Sequence, residues 1–213
     1  SKSNPNIIYA CDRTQPKIHR SNDAGNTWFT YYDFGSPYML ASAVAIDPND
    51  PDLIYASAFA PPMAHRGAFL KIKNGQKIAD MSSLLPRSVL EIEIDEKDPK
   101  TVYVSTHVYG VFKSTNAGAT WNRLDDRGTG LPRTGIYDID VDPFDNKILY
   151  ATALSGPLPD YMLPSEGFAN LEGKAGVYKS LDGGENWALI LETRSEARGI
   201  DIDSTDNNNL YVA

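Results

Sequence analysis

Ser21-Asn22-Asp23-Ala24-Gly25-Asn26-Thr27-Trp28 recurs as STNAGATW at Ser114 to Trp121 and as SLDGGENW at Ser180 to Trp187. Ser21, Ser114 and Ser180 open the phrase, and Asp23, Asn116 and Asp182 stand third. Gly25, Gly118 and Gly184 stand fifth, and Trp28, Trp121 and Trp187 close it. A short Asp or Asn accepts hydrogen bonds from backbone N–H groups just downstream, Gly takes the positive φ that closes a turn, and Trp is a large buried anchor. The flanking residues alternate apolar and polar, so each phrase is expected to join two antiparallel strands.

Working outward, a second motif, apolar-Tyr-small, is centred on Tyr9, Tyr55, Tyr103, Tyr150 and Tyr211, in steps of 46, 48, 47 and 61 residues. Ahead of the last four runs an alternating strand closed by a polar turn: Val44 to Asp50, Ile92 to Asp98, Ile139 to Asp145 and Ile200 to Asp206. One repeat therefore reads as four antiparallel strands. Strand A ends in the Asp-rich turn, B carries Tyr, C leads to the Trp phrase and D leaves it. Four such strands in 40 to 50 residues is the pattern of a β-propeller blade. In one degenerate repeat Asn74-Gly75 replaces the phrase and keeps a hairpin signal. The long step places an insertion, residues 155–174, between strands B and C.

The expectation is a single all-β domain, 1–213, a β-propeller of about four blades. Its units are roughly 1–40, 41–87, 88–134 and 135–198, with 199–213 beginning the next. The strand count, B-C-D at one end and A-B at the other, suggests part of a larger disc, such as a seven-bladed one. The remaining blades or a partner chain would then close it, since open sheet faces expose apolar surface.

The chain carries 20 Lys and Arg against 28 Asp and Glu, a net charge of −8, which disfavours nucleic acid as a partner because phosphate binding draws on clustered cations. No apolar run is long enough to insert in a membrane. The single Cys11 cannot form an intrachain disulfide and reads as a small filler beside Ala10. His19, His65 and His107 lack metal-ligand spacing, and the acidic turns lack a twelve-residue calcium loop, so no metal or cofactor is expected.

Because strands alternate in direction, the A–B and C–D turns share one rim and the B–C and D–A loops the other. The second rim gathers Asp12, Arg13, Tyr31, Tyr32, Asp33, His65, Arg66, His107, Tyr109, Asp126, Arg127, Tyr161 and Glu166. Aromatics, carboxylates and Arg together suit a polysaccharide or a protein ligand. Paired carboxylates would also be the requirement for glycoside hydrolysis, for which Asp12, Asp33, Asp126 and Glu166 could supply a pair.

The Trp phrase resembles the Asp-box, S-x-D-x-G-x-T-W, of bacterial neuraminidase-repeat propellers. I-D-P-x-D-P-x-x-I-Y-A at Ile46 to Ala56 and G-V-Y-K-S-x-D-G-G-x-x-W at Gly176 to Trp187 look most like the repeats of xyloglucanase-type glycoside hydrolases and sortilin-type domains. Sialidases share the box, but Leu85-Pro86-Arg87 and Leu131-Pro132-Arg133 do not match their F/Y-R-I-P motif. In the xyloglucanase family one catalytic Asp follows a Y-A-R-T-D strand end. Tyr9-Ala10-Cys11-Asp12 is similar and one residue shorter, which by resemblance makes Asp12 the catalytic candidate. Two readings stand: an extracellular or periplasmic binding scaffold recognising a protein or glycan through its B–C and D–A loops, and a xyloglucanase-type hydrolase acting on β-glucans. The sequence leaves both a catalytic and a non-catalytic chain open.

Overall fold

The computed structural model describes residues 1–60, 67–85, 89–106, 109–124, 128–132, 135–154, 174–194 and 197–213. His65, Arg66, His107, Asp126, Arg127, Tyr161 and Glu166 lie outside them.

The described residues form strands in five antiparallel sheets. Sheet 1 is β1 (Ile8–Asp12), β2 (Lys17–Ser21) and β3 (Phe29–Asp33). Sheet 2 is β4 (Leu40–Asp47), β5 (Asp50–Phe59), β6 (Gly67–Lys73) and β7 (Gln76–Asp80). Sheet 3 is β8 (Val89–Ile94), β9 (Val102–Thr106), β10 (Gly110–Ser114) and β11 (Asn122–Arg123). Sheet 4 is β12 (Ile136–Val141), β13 (Leu149–Ala153), β14 (Gly176–Ser180) and β15 (Trp187–Glu192). Sheet 5 is β16 (Ile200–Ile202) and β17 (Leu210–Val212). Each sheet pairs its strands in chain order, as the sequence pattern requires.

Alternation explains why these segments are strands. In β8, Ile92 and Ile94 are buried against β4 of sheet 2, and in β12 Ile139 and Val141 take the same role against sheet 3. The sheets stack by their first strands, β4 on β8, β8 on β12 and β12 on β16, while β1 lies against β4. A separate apolar cluster fills each joint, which is the layout of blades around an axis and not of a two-layer sandwich.

The turns follow from their residue types. Asn74 and Gly75 take φ of 51° and 72° and close the two-residue hairpin between β6 and β7. In the Asp-rich turns, Asp95 Oδ1 accepts from the N–H of Lys97 (2.8 Å) and Asp98 (3.1 Å), and Asp142 Oδ1 from Phe144 (2.7 Å) and Asp145 (3.1 Å). These are Asx turns.

Candidate functional site

The three Trp-phrase turns share one bonding scheme. Ser21, Ser114 and Ser180 are buried, and each Oγ accepts the N–H of the Gly four residues on, at 2.9 Å in all three. The third-position oxygen accepts the N–H four residues on from Thr27 (2.8 Å), Thr120 (2.9 Å) or Asn186 (2.9 Å). Asn116 does this as well as the acids do, because the bond needs an acceptor and not a charge. Where the acid is present its pKa falls, to about 2 for Asp23, chiefly through Thr27, and in the same direction for Asp182 through Asn186. The indole N–H donates back to the Gly carbonyl in each copy.

The residue before each Gly holds positive φ: Ala24 56°, Ala117 57°, Gly183 76°. Its N–H donates to the A–B turn of the same sheet, from Ala117 to the Lys100 carbonyl (2.7 Å) and from Gly183 to that of Lys147 (2.8 Å). The two turn types therefore do share a rim. The carbonyl of that residue is held by the preceding sheet: Ala117 O accepts from Tyr55 Oη (3.1 Å) and Lys71 Nζ (3.5 Å), and Gly183 O from Lys113 Nζ (2.9 Å). The cations are presented by cross-strand pairing with the B-strand tyrosines, Lys71 lying over Tyr55 (4.8 Å), Lys113 over Tyr103 (5.3 Å) and Lys179 over Tyr150 (5.0 Å). These groups build the joints, so this rim is largely occupied by its own architecture.

On the other rim the register sets Asp12 beside Lys17 and Lys17 beside Asp33, one row across sheet 1. Two strand spacings put the Asp12 and Asp33 Cα atoms roughly 10 Å apart. Asp12 Oδ1 accepts from Thr14 N (2.8 Å), Thr14 Oγ1 (2.6 Å) and Gln15 N (3.1 Å), which lowers its pKa, and Oδ2 faces His19 Nε2 at 3.5 Å. Arg13 is exposed in the adjoining turn. Tyr32 meets Phe34 edge-on at 5.3 Å. Asp33 caps the following turn through Gly35 N (2.8 Å).

Tyr31 stands apart from that row. Its hydroxyl donates to Asp52 O (2.5 Å), its ring meets Tyr9 at 5.0 Å, and Arg20 lies over both rings while pairing with Asp52, all in the joint between sheets 1 and 2. Pairing shifts from Ile18↔Tyr32 to His19↔Thr30, leaving Tyr31 as a bulge residue turned to the opposite side. Tyr109 begins the turn into β10, with its N–H on Thr106 Oγ1 (3.0 Å) and Arg123 over its ring.

A further group went unread as a site in the sequence. Glu91 and Glu93 on β8 and Asp138 and Asp140 on β12 line the inner edges of sheets 3 and 4. Desolvation, aided by their neighbours' charge, raises Glu91 and Asp140 to about 7 and Glu93 well above the usual range; Asp138 is raised by burial. Asp138 and Asp140 accept the N–H groups of Ile200 (2.8 Å) and Ile202 (3.0 Å), stitching sheet 4 to sheet 5. Clefts of about 560 and 430 Å³ open beside this row, both reached by Lys2, which pairs with Glu96. Among the described residues no cluster of His, Cys, Asp and Glu has the arrangement of a metal site. Burial also lifts the Cys11 thiol to about 12, away from reactive thiolate.

No family model matches the chain, and no curated protein matches it. Solved structures do. An ancestral GH74 enzyme superposes with a TM-score of 0.66 at 20% identity, covering 95% of this chain and 26% of its own. The GH74 xyloglucanase from Xanthomonas campestris gives 0.66 at 16% identity, covering 93% and 31%. YCF48 bound to D1 peptide gives 0.60 at 11%, covering 98% and 57%. This chain thus spans about a quarter to a third of the two GH74 chains. At these identities the likeness establishes the fold: an all-β propeller of four-stranded antiparallel blades.

Proposed function

We propose that this chain is a propeller binding module, extracellular or periplasmic, that takes a protein or glycan ligand on the rim carrying Asp12, Arg13, Lys17, Asp33 and the Tyr32–Phe34 pair. The observation that carries this reading is the contrast between the rims. On the turn rim, Ser, Asp, Lys and Tyr side chains are engaged in closing turns and joints. On the other rim, the side-chain bonds of Asp12, Lys17 and Asp33 are local to sheet 1, and among the described residues none of them ties a neighbouring sheet. The YCF48–peptide complex supports it as a precedent of the same fold. The three turns are read as Asp-boxes, and the disc as one completed by further blades or a partner chain. Ile8 is 36% exposed where its counterparts Val102 and Leu149 are fully buried, and Trp28 is 45% exposed against 6% for Trp187.

The likeness to GH74 enzymes favours a second reading, a β-glucan hydrolase with Asp12 as one carboxylate. A lowered Asp12 suits a base or nucleophile and leaves the proton donor to another group. One experiment separates the two. The protein is screened against xyloglucan and other β-glucan oligosaccharides and a peptide library, recording binding and reducing-sugar release for wild type, Asp12→Asn, and Lys17→Ala with Asp33→Ala. Binding without turnover, weakened by the rim pair, is expected. Turnover abolished by Asp12→Asn would replace the scaffold reading with the hydrolase.

A further inference from the structure

The joints of sheet 2 with 3 and of sheet 3 with 4 present the same clamp, and sheet 4 carries a counterpart that holds nothing among the described residues. Tyr150 and Lys179 are the counterparts of Tyr55 and Lys71, and of Tyr103 and Lys113. Upstream, the cation of each pair grips the carbonyl of the positive-φ residue in the next sheet's C–D turn, and Tyr55 adds its hydroxyl. Lys179 is poised over Tyr150 in the same way, yet among the described residues neither Lys179 Nζ nor Tyr150 Oη has a hydrogen-bond partner.

The rest of the socket is also in place. Asn208 aligns with Lys100 and Lys147, whose carbonyls receive the N–H of that same turn residue, and its own carbonyl accepts nothing among the described residues. Ile190, three residues after Trp187 as Leu124 is after Trp121, is 48% exposed, whereas Leu124 packs under the turn at Gly184. In sheet 5, Asp201 pairs with Tyr211, Gly199 and Ala213 exchange backbone bonds, and the Asp203 N–H donates to the Asn209 carbonyl. By antiparallel alternation, Leu210 and Val212 then turn their N–H and C=O groups to the unpaired edge of β17.

We propose that β17, Tyr150 and Lys179 form a docking edge for a β-hairpin bearing an S-x-[D/N]-x-G-x-x-W turn. Its first strand adds to β17 and its turn carbonyl seats on Lys179 and Tyr150. This deepens the reading that the disc is completed by further strands, and is independent of the ligand rim. A second folded copy of the chain fits poorly, because β1 already occupies the edge of β2 that β17 would need. The occupant is therefore a segment whose first strand is free on that side.

The probe is a synthetic peptide of residues 176–192, the chain's own third hairpin, added to the full protein. Hydrogen exchange at Leu210 and Val212 and calorimetric titration report binding. Protection of those two amides is expected. Tyr150→Phe and Lys179→Met, which leave the rings and stems in place, should each weaken binding about fivefold, as for the loss of one hydrogen bond. A peptide with Trp187→Ala should bind far more weakly. No protection at millimolar peptide, or binding indifferent to Tyr150→Phe and Lys179→Met, would overturn the proposal. So would self-association of the protein alone that already protects Leu210 and Val212. Rim binding by Asp12, Lys17 and Asp33 should be unchanged by the two clamp substitutions, so the two readings fail separately.

Discussion

Replacing Ser114 by Ala removes one hydroxyl from the centre of the second turn without changing the backbone. Its Oγ accepts from Gly118 N (2.9 Å) and Asn116 N (3.3 Å) and bonds Asn116 Oδ1 (3.0 Å). Asn116 is exposed, so water can replace its bonds, but Gly118 is buried beneath sheet 2 and its N–H would be left unpaired. An orphaned buried amide costs about 1–3 kcal/mol, and with the lost neutral bonds the expected destabilisation is about 2–3 kcal/mol. At a urea dependence of about 2 kcal/mol per molar, the unfolding midpoint should fall by roughly 1 M. Ser180→Ala should cost as much, since Gly184 is equally buried. Ser21→Ala should cost about 1 kcal/mol, because Gly25 sits beside the exposed Trp28 and its amide can be hydrated. Equal losses at all three sites within about 0.5 kcal/mol, or the largest at Ser21, would refute the reasoning that the neighbouring sheet sets the cost.

Glycine substitutions should rank by what a Cβ would strike: Gly176→Ala and Gly130→Ala drive a methyl into the backbone carbonyls of Leu191 and Trp187, whereas Gly35→Ala meets nothing and bears only its φ of 71°, an order that thermal unfolding would test. Stability should also depend on pH through Glu91, Glu93 and Asp140. A carboxyl raised by folding opposes the folded state when ionised, so its cost is nil below about pH 4, grows with pH, and is complete above the folded value, about 7 for Glu91 and Asp140. Asp23 acts in the opposite sense, losing its contribution as pH falls from about 4 toward about 2. Urea midpoints should therefore peak at mildly acidic pH, and Glu93→Gln should raise stability at pH 8 and flatten the alkaline limb. Lys113→Met should loosen the joint of sheets 3 and 4, seen as faster hydrogen exchange in the Ser180–Trp187 turn with Tyr103 still packed.

The strand order was legible because every repeat carried its own punctuation: Tyr on B, Ser before the turn, Gly within it, and Asn74-Gly75 where the phrase is missing. What could not be read was which face meets what. Alternation marks Glu91, Glu93, Asp138 and Asp140 as one face of strand A, but the same alternation fits a face toward water and one toward a neighbouring sheet. Trp28 reads identically to Trp187, yet its burial depends on a sheet before it and not on its own turn. Tyr31, expected on the ligand rim, is turned into a joint by a single bulge, and no spacing rule reveals an unpaired residue inside a strand. The clamp of Lys71 and Lys113 was hidden for a similar reason: the lysines are visible, but their seat over a tyrosine follows only from register.

The stacking of successive sheets is tested most directly by the aromatic contact across the second joint, where the rings of Phe69 on β6 and Trp121 ahead of β11 lie 5.6 Å apart. Nuclear Overhauser spectra of protein with labelled Phe and Trp should show cross-peaks between these two rings. Cross-peaks from Phe69 to Trp28 or Trp187 in place of Trp121 would contradict blades packed in chain order.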